Sequence, residues 1–295
     1  MRAIVLGSAA GGGFPQWNCR CKVCELAWAG DSRVKRRTQA SIAVSGDGRE
    51  WTLLNASPDL RSQVEATPAL HPTALRNSPI RAVLLTGAEI DQTAGLLSLR
   101  EQARFTVYGT ETTLCALAAN PMMAVLPSMV VKRQAVSPNR LFALPGNLHA
   151  ELFPVPGKSP LYLEAEEQPA QQDVNVGVEI RDAGKLLLFV PGAASVTEDL
   201  RARIARADMV FFDGTLYTDD EMIRSGTGVK TGRRMGHLQI SGSDGSLCLL
   251  NGSPPQRFFV HINNTNPILV EGSPERAAIA AAGWQVAEDG MEFAL

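Results

Sequence analysis

Three cysteines crowd into one short run: Cys19, Cys21 and Cys24. Disulfides between such near neighbours are geometrically awkward, and a reducing cytosol disfavours them. Three thiolates from one tight turn can instead fill three corners of a tetrahedral zinc site, with a fourth ligand from elsewhere in the chain. A structural Zn2+ on Cys19, Cys21 and Cys24 is the expectation. Cys115 and Cys248 lie in apolar contexts and are expected in the core.

A second group of candidates is acidic. Glu89 and Asp91 fall in a polar loop between a short apolar run, residues 82–86, and residues 93–102, whose Leu96, Leu97 and Leu99 a helix can bury. Open α/β sheets place ligands at the carboxyl ends of strands, so both carboxylates are expected to face a cleft. The plain alternative is a βα turn with solvated acids. Asp213 ends another apolar run and reads equally as a site residue or as a turn or cap aspartate. Of only four histidines, His261 stands at the mouth of a late strand beside the amides of Asn263, Asn264 and Asn266. His237 follows a glycine-rich loop carrying Lys230, Arg233 and Arg234, which suits a mobile flap or an anion-facing segment.

Strands are expected over residues 2–6, 39–44, 51–55, 82–86, 106–109, 149–155, 174–180, 185–190, 209–216 and 257–260. Helices are expected to start near Pro58 and to span 93–102, 111–119, 195–207 and 271–282. Asp47-Gly48 signals a hairpin turn, and Asp289-Gly290 centres a closing hairpin over 284–293. Residues 7–13 form a glycine-rich turn, but neither P-loop nor dinucleotide spacing follows. Met122, Met123 and Met129 suit core gaps or an adaptable binding surface, with core the expectation. Strands alternating with helices make the class α/β.

With 295 residues, 45% of them hydrophobic, the chain can bury a sizeable core as one large α/β domain or two smaller ones. A net charge of −2 provides no basic field for nucleic acid. No apolar run approaches a membrane span or a signal-peptide core. A soluble cytoplasmic protein is the expectation.

Residues 84–96, LLTGAEIDQTAGL, are similar to the metal-binding loop of the metallo-β-lactamase superfamily, T-H-x-H-x-D-H-x-x-G-L. Thr86, Asp91, Gly95 and Leu96 match, while Gly87, Glu89 and Gln92 replace the three histidines. Further on, Lys158 and the alanines at 193 and 194 stand where two more metal ligands are common, and His261 falls at the last metal-binding histidine. Oxygen donors suit Fe(II), Mn(II) or Mg(II) better than zinc, so a dinuclear zinc hydrolase is disfavoured. The motifs GGGFPQWNCRCKVC, ASPDLR, GLLSLRE, FDGTL, MGH and HINNTNPIL together resemble the coenzyme PQQ synthesis protein B family over residues 1–295.

That resemblance implies one αββα metallo-β-lactamase-like sandwich with a zinc knuckle at 19–24 and a role in making pyrroloquinoline quinone (PQQ). The family is described as an iron- and O2-dependent hydroxylase of the tyrosine ring in a Glu-Tyr precursor, or as a carrier of PQQ or its precursor towards the periplasm. On the first reading Glu89, Asp91 and His261 would hold Fe2+, with Asp213 a further candidate. His237 would exchange protons, and Lys230, Arg234 and Asn263 would hold the substrate. The resemblance also implies a His at the position that Gln92 holds here. The fourth zinc ligand would fall on Asn264, or zinc would take His261 in competition with the cleft. Other PQQ biosynthesis proteins would be partners, and a homodimer stays open.

Overall fold

The computed structural model describes residues 1–160, 173–252 and 256–295. Two seven-stranded mixed sheets form its centre. The first contains β1 (Arg2–Gly7), β2 (Ser41–Ser45), β3 (Trp51–Leu54), β4 (Ile80–Leu84), β5 (Phe105–Gly109) and β6 (Val131–Ala135). The second contains β7 (Leu141–Leu144), β8 (Leu148–Pro154), β9 (Val176–Asp182), β10 (Lys185–Val190), β11 (Met209–Asp213), β12 (Gln256–Val260) and β13 (Gln285–Val286). The last strand, β14 (Glu292–Ala294), returns to the first sheet beside β1. Strand orders are β14-β1-β2-β3-β4-β5-β6 and β13-β12-β11-β10-β9-β8-β7. In both sheets an antiparallel half gives way to a parallel half.

Strand alternation builds three apolar layers. Along β10, Leu187 and Phe189 enter the core between the sheets, while Leu188 and Val190 face the opposite side. Along β11, Met209 and Phe211 face inward, and Val210 and Phe212 outward. Strands buried on both faces read as apolar runs, which is why β10 and β11 stand out in the sequence. Outside the second sheet lie α1 (Lys22–Trp28), α5 (Glu198–Arg206) and α8 (Pro274–Ala281). Outside the first lie α2 (Leu60–Ala66) and α4 (Glu111–Ala119). The short helices α3 (Ile90–Thr93), α6 (Glu221–Arg224) and α7 (Ser246–Leu249) punctuate the loops. The layering is αββα, as expected.

Several local readings are corrected. The helix expected over 93–102 is instead α3 followed by a 3-10 turn, Ala94–Leu99. The Gly95 N–H bonds to Ala56 O outside the helix, so the i−4 ladder is interrupted there. The closing hairpin does not form, because β13 pairs with β12 in one sheet and β14 with β1 in the other. Asp289 ties that crossing down by accepting from the Thr38 N–H and the Ser8 hydroxyl. Only Met123 of the three methionines is core, with Met122 and Met129 exposed. Cys115 and Cys248 are also exposed, Cys115 on the outer side of α4, whose Leu114 and Leu117 pack inward.

Candidate functional site

The loops after β4, β10, β11 and β12 converge on a cleft of about 570 Å³. Its walls include Glu89, Asp91, Lys158, Lys230, His237 and His261. On the first sheet the loop is set by Asn55, which adopts a left-handed φ of 64° at the end of β3. Its side-chain oxygen accepts the Thr86 N–H at 2.9 Å, and its amide donates to Thr86 Oγ1 at 2.9 Å. From there Glu89 caps α3. Its carboxylate accepts the Gln92 N–H, while Gln92 Oε1 accepts the Glu89 N–H at 3.1 Å. A Cβ on Gly87 would approach Gln92 Oε1 to 2.7 Å. Gly87 and Gln92, two of the three residues standing in for superfamily histidines, are therefore adapted to each other.

From the second sheet, His261 leaves β12 with a left-handed φ of 58°, a sparsely populated conformation for a side-chain-bearing residue and a mark of local constraint. Its Nε2 lies 2.9 Å from Asp91 Oδ2, and its Nδ1 lies 2.9 Å from Thr215 Oγ1. The His237 ring stacks on it at 5.2 Å between centroids, with His237 Nδ1 2.7 Å from Asp213 Oδ2. Burial opposes the charge on Asp91, but the hydrogen bond and charge of His261, with the charge of His237, hold its carboxyl below the usual range. Burial likewise opposes ionisation of Asp213, and the charge and hydrogen bond of His237 outweigh it. For His261, burial disfavours the cation, yet Asp91, Asp213 and Glu89 raise its pKa above 6.5.

The sequence-derived set is only partly gathered here. Asp91 and His261 touch, and Glu89 lines the same cleft with its carboxylate engaged in the α3 cap. Among the described residues, the metal-type donors lying within 4.8 Å of one another at the cleft are Asp213, His237 and His261 rather than Glu89, Asp91 and His261. Lys230 and Asn263 line the cleft; Arg234 is not part of its wall. Thr215 escaped the sequence reading. Its only signal is its place two residues after Asp213, since hydroxyls carry no motif of their own.

The second cluster is the knuckle. Cys19, Cys21 and Cys24 hold their sulfurs within 4.8 Å of one another. The Asn264 side-chain amide closes the group, with Nδ2 3.1 Å from Cys19 Sγ, 3.3 Å from Cys24 Sγ and 3.8 Å from Cys21 Sγ. The hydrogen bond from Cys24 draws the Cys21 thiol down to about 5, and Cys24 is pushed up in turn. A donor set of three soft sulfurs around one polar corner fits zinc. His261, considered as fourth ligand, is not at the knuckle, because its two ring nitrogens face Asp91 and Thr215.

Residues 50–262 match the model of a β-lactamase superfamily domain. A coenzyme PQQ synthesis protein B from Methylorubrum extorquens is 54% identical over the whole of both chains. The crystal structure of Zn2+-bound PqqB from Methylobacterium extorquens superposes with a TM-score of 0.97, again at 54% identity and covering all of both chains. The chain belongs to the coenzyme PQQ synthesis protein B family. A diphosphatase of the PhnP family, 20% identical with a TM-score of 0.66 over 100% of this chain and 97% of its own, shares the fold. Membership in the PQQ synthesis family is thus carried by the whole chain, knuckle and cleft together. Among the described residues, no helix is long and apolar enough to cross a membrane.

Proposed function

We propose that this protein acts in PQQ biosynthesis as an iron- and O2-dependent hydroxylase of the tyrosine ring in a Glu-Tyr precursor. One observation carries this reading: an imidazole and a carboxylate, His261 and Asp91, meet at 2.9 Å in an open cleft, with a second imidazole stacked beside them. Mixed imidazole and carboxylate donors with open positions suit Fe(II). His261 and Asp91 would hold the ion, and Glu89 and His237 are the next donors along the cleft wall. Bound there, iron would supply the one-electron chemistry that lets O2 attack an aromatic ring, which no side chain can provide.

The remaining groups bind and exchange protons. Lys158 and Lys230, on the cleft wall, suit the carboxylates of an acidic precursor, and Asn263 adds an amide. His237, braced on Asp213, is placed to hold a proton at the cleft surface. Structural zinc would sit on Cys19, Cys21 and Cys24, with the Asn264 amide donating hydrogen bonds to their sulfurs. Arg234, outside the wall, is left without a substrate role. Hydrolysis with two zincs is disfavoured by Gly87, Gln92 and Lys158, where that chemistry needs ligands.

The test is anaerobic loading with Fe(II), exposure to O2 with excess ascorbate to supply the two electrons that take the second oxygen atom to water, and mass spectrometry of a Glu-Tyr precursor. One added oxygen, lost in Asp91→Ala and His261→Ala, is expected. Full iron loading with no oxygen added would overturn the hydroxylase and favour a non-catalytic PQQ or precursor carrier using the same cleft.

A further inference from the structure

The Thr215 hydroxyl has one proton and four polar neighbours. Oγ1 lies 2.6 Å from Asp213 Oδ1, 2.9 Å from His261 Nδ1, 3.1 Å from His237 Nδ1 and 3.0 Å from His261 O. A carboxylate oxygen can only accept, and it is the nearest of the four, so the hydroxyl proton goes to Asp213. With that proton spent, Oγ1 has only lone pairs left, and His261 Nδ1 must be the donor across 2.9 Å. At His237 the same reasoning applies, because Nδ1 stands 2.7 Å from Asp213 Oδ2 and can only donate to it.

Asp213 is then saturated. Oδ1 accepts the Thr215 N–H at 3.0 Å and the Thr215 O–H, and Oδ2 accepts the Ala193 N–H at 2.9 Å and the His237 Nδ1–H. A carboxylate has about four acceptor positions, and all are filled by the protein. Its side chain is 0% exposed. Gly214 lets the turn close against β12, since a Cβ there would lie 2.7 Å from Phe259 Cβ.

We propose that Asp213 and Thr215 are a positioning pair and not metal ligands: they fix a proton on Nδ1 of both His237 and His261, so that Nε2 is the atom each ring has for an ion, and on His261 the proton that Nε2 shares with Asp91 Oδ2 at 2.9 Å would leave as the ion binds. This rests on the cleft binding a metal but not on the hydroxylation itself. Carboxylates and hydroxyls behind a metal-binding imidazole set its tautomer and its basicity, and their loss typically weakens metal binding 10- to 100-fold.

With four histidines in the chain, imidazole 15N NMR of the full-length protein loaded with Zn2+ alone can assign every ring. Expected are a zinc-shifted Nε2 on His261 and retained Nδ1–H signals on both His237 and His261. An Nδ1 bound to zinc, or either ring carrying its only proton on Nε2, would overturn the pairing while leaving a metal cleft in place. Zinc uptake confined to the cysteines would overturn both. Chelator competition provides a second readout. Thr215→Val should weaken cleft zinc about tenfold, Thr215→Ser should restore it, and the knuckle should keep its zinc in both. Unchanged affinity in Thr215→Val would overturn the pairing, and if that variant fails to fold the parent spectrum decides alone.

Discussion

Glu221 ends up buried against Thr265, whose hydroxyl it accepts at 2.5 Å, and the Tyr217 N–H at 2.7 Å. Burial is the main cause that lifts its pKa from 4.5 to about 7, against the lowering effect of those hydrogen bonds. A carboxyl whose folded pKa is raised binds its proton more tightly in the folded state. Its contribution is intact below about 4.5 and is lost as pH climbs through 7, by up to about 3 kcal/mol. Urea unfolding at pH 5 and pH 8 should therefore differ more for the parent than for Glu221→Gln, whose slope over that interval flattens. At Asn55, replacement by Ala removes the Thr86 clamp and leaves a residue that tolerates the left-handed backbone less well than Asn, for a loss of about 2–3 kcal/mol measured the same way. Little of this was legible from residue types. Asp91, His261 and the cysteines declare themselves because few other side chains do their chemistry. Thr215 and Glu221 acquire their roles from burial and from what the chain folds against them, which no local spacing encodes.

Elements were more readable where one physical signal dominates. β10 and α4 match their expected bounds because an apolar run fixed one and a Thr110 cap with an acidic first turn fixed the other. Reading failed where partner choice is non-local. Asp-Gly between two short strands looks the same whether they pair or separate, and here they join different sheets. The capping of α3 yields a test at this scale: Gln92→Ala should lose about 1 kcal/mol and loosen Glu89, seen as faster amide exchange across residues 89–93. α5 is docked by charge. Glu179, fully buried on β9, accepts from Arg203 at 2.6 Å, from Arg181 at 2.7 Å and from Arg206. Removing one member of a buried ionic cluster leaves the others uncompensated. Glu179→Ala should cost about 3–5 kcal/mol in denaturant unfolding and release α5 first.

At the scale of the molecule, the two sheets close on each other through the chain's end. β14 covers the β1 edge, and Phe293 packs on Phe258 at 4.9 Å and on Phe211 at 5.8 Å between ring centroids. Deleting residues 292–295 would bare a strand edge beside apolar surface. A lowered melting temperature and concentration-dependent association in size-exclusion chromatography are the expected outcome.

Residues 261–266 have duties at both ends. His261 faces the cleft, Asn264 closes the thiol group, and between them Ile262 is pinned by accepting the Ala10 N–H at 2.9 Å. This short ribbon makes the cysteines a remote fuse. Mild peroxide that oxidises the thiols should slacken the ribbon and impair the cleft from behind, a loss that thiol reduction reverses.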